Sequence, residues 1–153
     1  MVSCVERRGE PMLRKTEIIQ RWYEEVWVKG NSDMIDEIYR PAPENESLIP
    51  GGLINTTEAR ELATVFNSLI TDQKIRVVHC VEQGEWLSAL VEMYGFKAGT
   101  DKPVNMRWLT MVRLDGDVIV ESYPAVDFLS LFEQLDQLPP DSFELMLSGT
   151  VFK

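Results

Sequence analysis

The sequence has 153 residues, 44% of them apolar and 26% charged, which is the size and composition of one globular domain. Its 15 basic residues are outnumbered by 25 acidic ones, for a formal net charge of −10; this excludes a nucleic-acid surface of clustered Lys and Arg and an electrostatic grip on an anionic membrane. No metal-ligand spacing links Cys4 and Cys80, and no apolar run reaches signal-peptide or transmembrane length, so the expectation is a cytoplasmic protein with no cofactor.

Residues 1–11 are polar, contain Gly9 and Pro11, and read as a flexible lead-in. From Met12 the pattern turns helical. Leu13, Ile18, Ile19, Trp22, Tyr23, Val26 and Trp27 recur at three- and four-residue steps and form one apolar stripe, which Gly30 ends. Asn31-Ser32-Asp33 offers a cap for a short second helix carrying Met34, Ile35, Ile38 and Tyr39, stopped at Arg40-Pro41. Residues 41–55, rich in Pro and Gly, form a long loop of the kind that makes a lid or rim. A third helix starts at Thr56-Thr57-Glu58 and buries Leu62, Phe66, Leu69 and Ile70.

The apolar period then changes from 3.6 to 2. Strands are expected at 74–82, 86–98, 104–114 and 117–126, with turns at Gln83-Gly84-Glu85 and Asp115-Gly116. Asp127 caps a last helix with Phe128, Leu131, Phe132, Leu135 and Leu138 inside, ended by Pro139-Pro140. Residues 12–140 make a single domain and 141–153 a C-terminal extension, apolar enough to add a further strand. Helices segregated from strands predict α+β. Trp86, Leu90 and Tyr94 share one strand face while Leu87, Val91 and Met93 share the other, so both faces need cover. One face packs on the helices, and the other is expected to pair with a second copy in a homodimer.

Two stretches carry a family likeness: RWYEEVWVKGNSDMIDEIYRP at 21–41 and RLDGDVIVESYPAVDFLSLFEQLDQLP at 113–139. Their aromatic pair, Glu-Glu-x-Trp, Asp-Gly turn, Glu-bearing strand and Leu-rich last helix resemble the SnoaL-like polyketide cyclases of the nuclear-transport-factor-2-like superfamily. The resemblance covers roughly residues 13–139. It implies a cystatin-like α+β roll: a cone-shaped, curved mixed or antiparallel sheet wrapped on N-terminal helices, with an apolar pocket and frequent dimerisation. The family commonly places an Asp after the aromatic matched by Tyr123, where that carboxylate serves as general acid and base. Here Pro124 occupies the position and can neither accept nor donate a proton.

The remaining proton-transfer candidates are Glu92, a base if it points inward, and His79, the one histidine, which is otherwise a core residue. Glu121 is expected to pair with Arg107 or Arg113 across the hairpin. Tyr23, Trp27, Tyr94, Trp108, Thr110 and Ser122 are the candidate pocket residues, an apolar wall with a few polar groups. Three readings stay open. The chain is a cyclase- or isomerase-like enzyme on a small apolar, carbonyl-bearing or polyketide-like substrate, a non-catalytic holder of such a molecule, or a dimeric interaction protein of the same fold.

Overall fold

The computed structural model describes residues 13–41 and 54–153. The lead-in, Cys4 and residues 42–53 of the expected loop lie outside the described residues. Helix α1 spans Lys15–Trp22 and runs straight into a π-helical turn at Tyr23–Val28. There Lys29 N donates to Glu24 O, five residues back, at 3.0 Å. The sequence pattern predicts one continuous α-helix; the widened turn is a difference that periodicity alone does not reveal. Helix α2 (Ile35–Ile38) follows a 3-10 turn, and α3 spans Thr56–Leu69. Asn55 and Glu58 cap α3 reciprocally, at 2.9 and 3.2 Å.

Four strands form a consecutive antiparallel sheet: β1 (Ile70–Gln83), β2 (Trp86–Lys97), β3 (Pro103–Asp115) and β4 (Val118–Val126). Gly116, at φ +59°, supplies the left-handed residue that the β3–β4 turn requires. Helix α3 passes into β1 without a loop, so β1 starts four residues earlier than the alternation at 74–82 indicates. The Gln73 amide sits in this junction and donates towards Phe66 O, Asn67 Oδ1 and Ile70 O at 3.3–3.4 Å. Irregular register at Thr71/Lys74, Val77/His79 and Arg113/Leu114 bends the strands; such bulges add local twist and curvature.

The inner sheet face and the helices enclose the core. Ile18, Ile19, Val26, Ile35 and Ile38 meet Leu87, Val91, Met93, Val112 and Ile119 there, all of them buried. Helix α4 (Phe128–Gln134) closes one end, its N-terminus capped by Asp127, which accepts from Ser130 N at 3.0 Å. The C-terminal extension does not add a strand. It forms α5 (Ser142–Leu147), because Pro139-Pro140 turns the chain and the Glu133 carboxylate accepts the Phe143 N–H at the new helix start, at 3.1 Å.

Gly95 marks the tightest backbone approach. A Cβ there would lie 2.7 Å from Ile70 Cγ2 and 2.9 Å from the Thr71 carbonyl oxygen. Gly95→Ala is expected to lower unfolding free energy by about 1–3 kcal/mol, the usual cost of overpacking. Urea denaturation at pH 7 checks this, with an unchanged midpoint as the contrary result.

Candidate functional site

Between the helices and the inner sheet face lies a cavity of about 100 Å³. Its wall is built from three sources. The α1–π segment supplies Trp22, Tyr23 and Trp27. The strands supply Met93, Met106, Trp108, Ser122 and Pro124, and the helices Phe66 and Phe128. Tyr23 and Trp27, four residues apart along the π segment, share one face and line the same wall. A larger depression of about 1050 Å³ lies around Thr71, Tyr94, Phe96 and Asn105, but it opens broadly to solvent. Sites that bury a small ligand are concave and mostly apolar, which favours the smaller, more apolar space.

Tyr23, Trp27, Trp108 and Ser122 all line this cavity. Thr110 is buried on the same sheet face, paired across the strands with Ala89 and Pro124, and stands beside Tyr23 without lining the space. Tyr94 is not part of the wall. It is 53% exposed on the opposite sheet face, opposite Lys74 and Asn105.

Neither proton-transfer candidate reaches the cavity. Glu92 falls between Val91 and Met93, whose side chains point inward, so the pleat turns it outward. It is only 3% exposed, yet its cover is two arginines, Arg76 and Arg107, themselves 71% and 66% exposed. Arg76 donates to one carboxylate oxygen at 2.8 Å and Arg107 Nε to the other at 2.7 Å. Those hydrogen bonds, Arg76 first and Arg107 second, hold the Glu92 carboxyl below the usual carboxylate range. A carboxylate so held is a poor proton acceptor. His79 pairs with Leu90, and Leu90 with Leu109, which places the imidazole in an outer row, exposed. It is not a core histidine either. Glu121 pairs with Arg113, at 2.7 Å to Nε, and also accepts from Tyr123 Oη at 2.8 Å.

The cavity's polar groups are therefore neutral. Trp108 Nε1 donates to Tyr23 Oη at 3.1 Å, and their rings meet edge to face with centroids 5.4 Å apart. Burial pushes the Tyr23 phenol up to about 12, against smaller lowering effects of Trp108 and Thr110. Burial likewise raises Tyr39, helped by the charge of Glu58. Tyr39 Oη donates to the Ile54 carbonyl. Two buried polar atoms, Trp27 Nε1 and Thr110 Oγ1, have no hydrogen-bond partner of full geometry among the described residues. Each such orphan costs about 1–3 kcal/mol. Pro124 occupies the wall itself, on β4, an edge strand where its missing N–H is tolerated.

Residues 19–122 match the SnoaL-like domain family, two thirds of the sequence and every element from α1 into β4. The chain belongs to the SnoaL-like family. Solved SnoaL-like folds agree. A candidate SnoaL-like polyketide cyclase from Jannaschia sp. CCS1 superposes with a TM-score of 0.64 at 15% identity, over 88% of this chain and 100% of that one. A candidate polyketide cyclase from Bacillus cereus ATCC 10987 gives 0.63 at 17% identity, over 79% of each chain. A protein of ketosteroid isomerase-like fold from Catenulispora acidiphila DSM 44928, in complex with trimethylamine, gives 0.60 at 15% identity over 82% and 95%. At these identities the likeness carries the fold alone. No curated protein matches the chain. Among the described residues, no helix is long and apolar enough to cross a membrane, and no group of three or more His, Cys, Asp or Glu is placed to hold a metal.

The sequence pattern missed Trp22, Met93, Met106 and Phe128 as wall residues. Their apolar periodicity marks them as core, and nothing local distinguishes a core side chain from one beside a void.

The raised phenol pKa gives a signed pH effect. The folded state holds the Tyr23 proton more tightly than the unfolded state, so this contribution is intact below pH 10 and disappears as pH rises towards 12. A shift of this size corresponds to about 2–3 kcal/mol. Unfolding free energy measured from pH 9 to 12 should fall less steeply in Tyr23→Phe than in the parent chain, and equal slopes would count against a buried phenol.

Proposed function

We propose that this SnoaL-like chain holds a small, neutral, largely apolar molecule bearing a carbonyl or similar group, and does so without proton-transfer catalysis. The observation that carries this reading is the chemistry of the wall. Among the described residues it contains no carboxylate and no imidazole, Pro124 stands where the family commonly has its acid, and both phenols are held protonated. Enolisation needs a base with a pKa near the working pH, and a phenol near 12 is not one. A protonated Tyr23 is instead a hydrogen-bond donor, oriented by the Trp108 N–H that it accepts. Volume sets the scale: about 100 Å³ suits a single small ring rather than a polycyclic polyketide. Ligand-observed NMR with cyclohexanone is expected to show saturable binding that survives in Glu92→Gln and His79→Ala and is abolished by Met106→Trp, which fills the cavity. Loss of binding or of a measurable turnover in Glu92→Gln would return the proton-transfer reading.

The outer sheet face favours a second proposal, a homodimer formed through it. Val81, Leu109, Met111 and Tyr123 lie there, exposed and adjacent. The charges among them are already paired within the chain, Glu92 with two arginines and Glu121 with Arg113. Arg76, Arg107 and Arg113 balance Glu92, Glu121 and Glu85 in these pairs on a protein of net charge −10, so two copies meet here without opposing acidic surfaces. Light scattering coupled to gel filtration is expected to give a dimer mass for the parent chain and a monomer mass for Leu109→Lys. A monomeric parent would overturn the proposal.

A further inference from the structure

We infer that the ligand enters with one neutral hydrogen-bond acceptor directed at Trp27, whose indole N–H sets the polarity that the cavity accepts. The inference rests on the cavity being a ligand site, as proposed above. Three other donors of the wall already have acceptors. Trp108 Nε1 is bonded to Tyr23 Oη, Tyr39 Oη to Ile54 O, and the Gln73 amide to carbonyls at the end of α3. Trp27 lines the same space, yet its Nε1 is buried with no partner among the described residues. Buried donors are nearly always paired, so an unpaired one in a cavity wall points to a group that completes it.

The residue is also held ready. Its carbonyl oxygen accepts from Asn67 Nδ2 at 2.9 Å, which ties the π turn to α3. Its ring packs against Trp22, with centroids 6.5 Å apart at 74°, and against Phe66, 6.0 Å apart at 40°. An indole fixed on two sides loses little freedom when a ligand arrives. The chemistry of the acceptor follows from the donor and its surroundings. Indole nitrogen donates and does not accept, so an alcohol is favoured only through its oxygen and an ammonium not at all. Among the described residues no cation lines the space, so a carboxylate would lose its hydration without compensation. The class that remains is a ring-sized ketone, ester or ether.

The test compares cyclohexanone with methylenecyclohexane, which replaces the carbonyl oxygen by CH2 at nearly constant shape. In proton–nitrogen correlation spectra of the full chain, cyclohexanone is expected to move the Trp27 indole N–H downfield and methylenecyclohexane not to. This readout uses the parent chain and depends on no variant folding. Trp27→Phe should weaken cyclohexanone about tenfold, as expected for loss of a buried hydrogen bond, and alter methylenecyclohexane less than about twofold. Equal weakening of both probes, or an indole signal indifferent to the ketone, overturns the assignment while leaving the cavity a ligand site. Failure of both probes to bind the parent chain overturns both readings together.

Discussion

Alternation of side chains along a strand is the constraint on which the rest of this protein depends. In the row through Val77, Val91, Trp108 and Val126, every side chain faces the helices; one row along, Arg76, Glu92 and Arg107 face away. Once Trp108 is committed to the cavity by its bond to Tyr23, Glu92 cannot reach it without turning the whole strand over. Period two thus decides which groups may act on a bound molecule and which belong to the surface. It gives this chain an inner wall of neutral hydrogen-bonding groups and an outer face of apolar side chains and self-paired charges.

The inner wall is specialised at its helical side. The π turn at Tyr23–Val28 brings two aromatic residues with polar tips to one cavity, and the Asn67 amide holds that turn against α3. Tyr23 and Trp27 then differ in what they have left to offer. Tyr23 is engaged by Trp108, and Trp27 has a buried N–H with nothing described to receive it. Pro124, across the sheet, completes a wall whose polarity is all donor and neutral hydroxyl.

Much of this architecture was legible in the sequence. Periodicity located α1 to α4 and all four strands, and Asp115-Gly116 and Asp127 located a turn and a cap that the structure contains. The two quoted segments carried the family, which the match over 19–122 establishes. Of the pocket candidates, Tyr23, Trp27, Trp108 and Ser122 share the cavity, while Tyr94 sits on the other face. That split has a plain cause. Strand β2 is apolar on both faces, so hydrophobicity could not say which parity lay inside, and Tyr94 and Glu92 were assigned without that information. The early start of β1 and the helical C-terminal extension were hidden for a different reason. Both depend on specific side-chain-to-backbone hydrogen bonds, Gln73 to the end of α3 and Glu133 to the Phe143 N–H, rather than on apolar periodicity.

The sequence by itself determined the class of this protein: a strongly acidic α+β chain of the SnoaL-like family. These are properties of composition, period and order, and they survive any error about orientation. Only the tertiary structure decided which groups meet. It turned Glu92 and His79 outward, formed a cavity of about 100 Å³ lined by Tyr23, Trp27 and Trp108, and left the Trp27 N–H buried without a partner among the described residues. The physical reason is that the side of the sheet a side chain occupies, and the partners its polar atoms find, are settled by packing between elements distant in the chain.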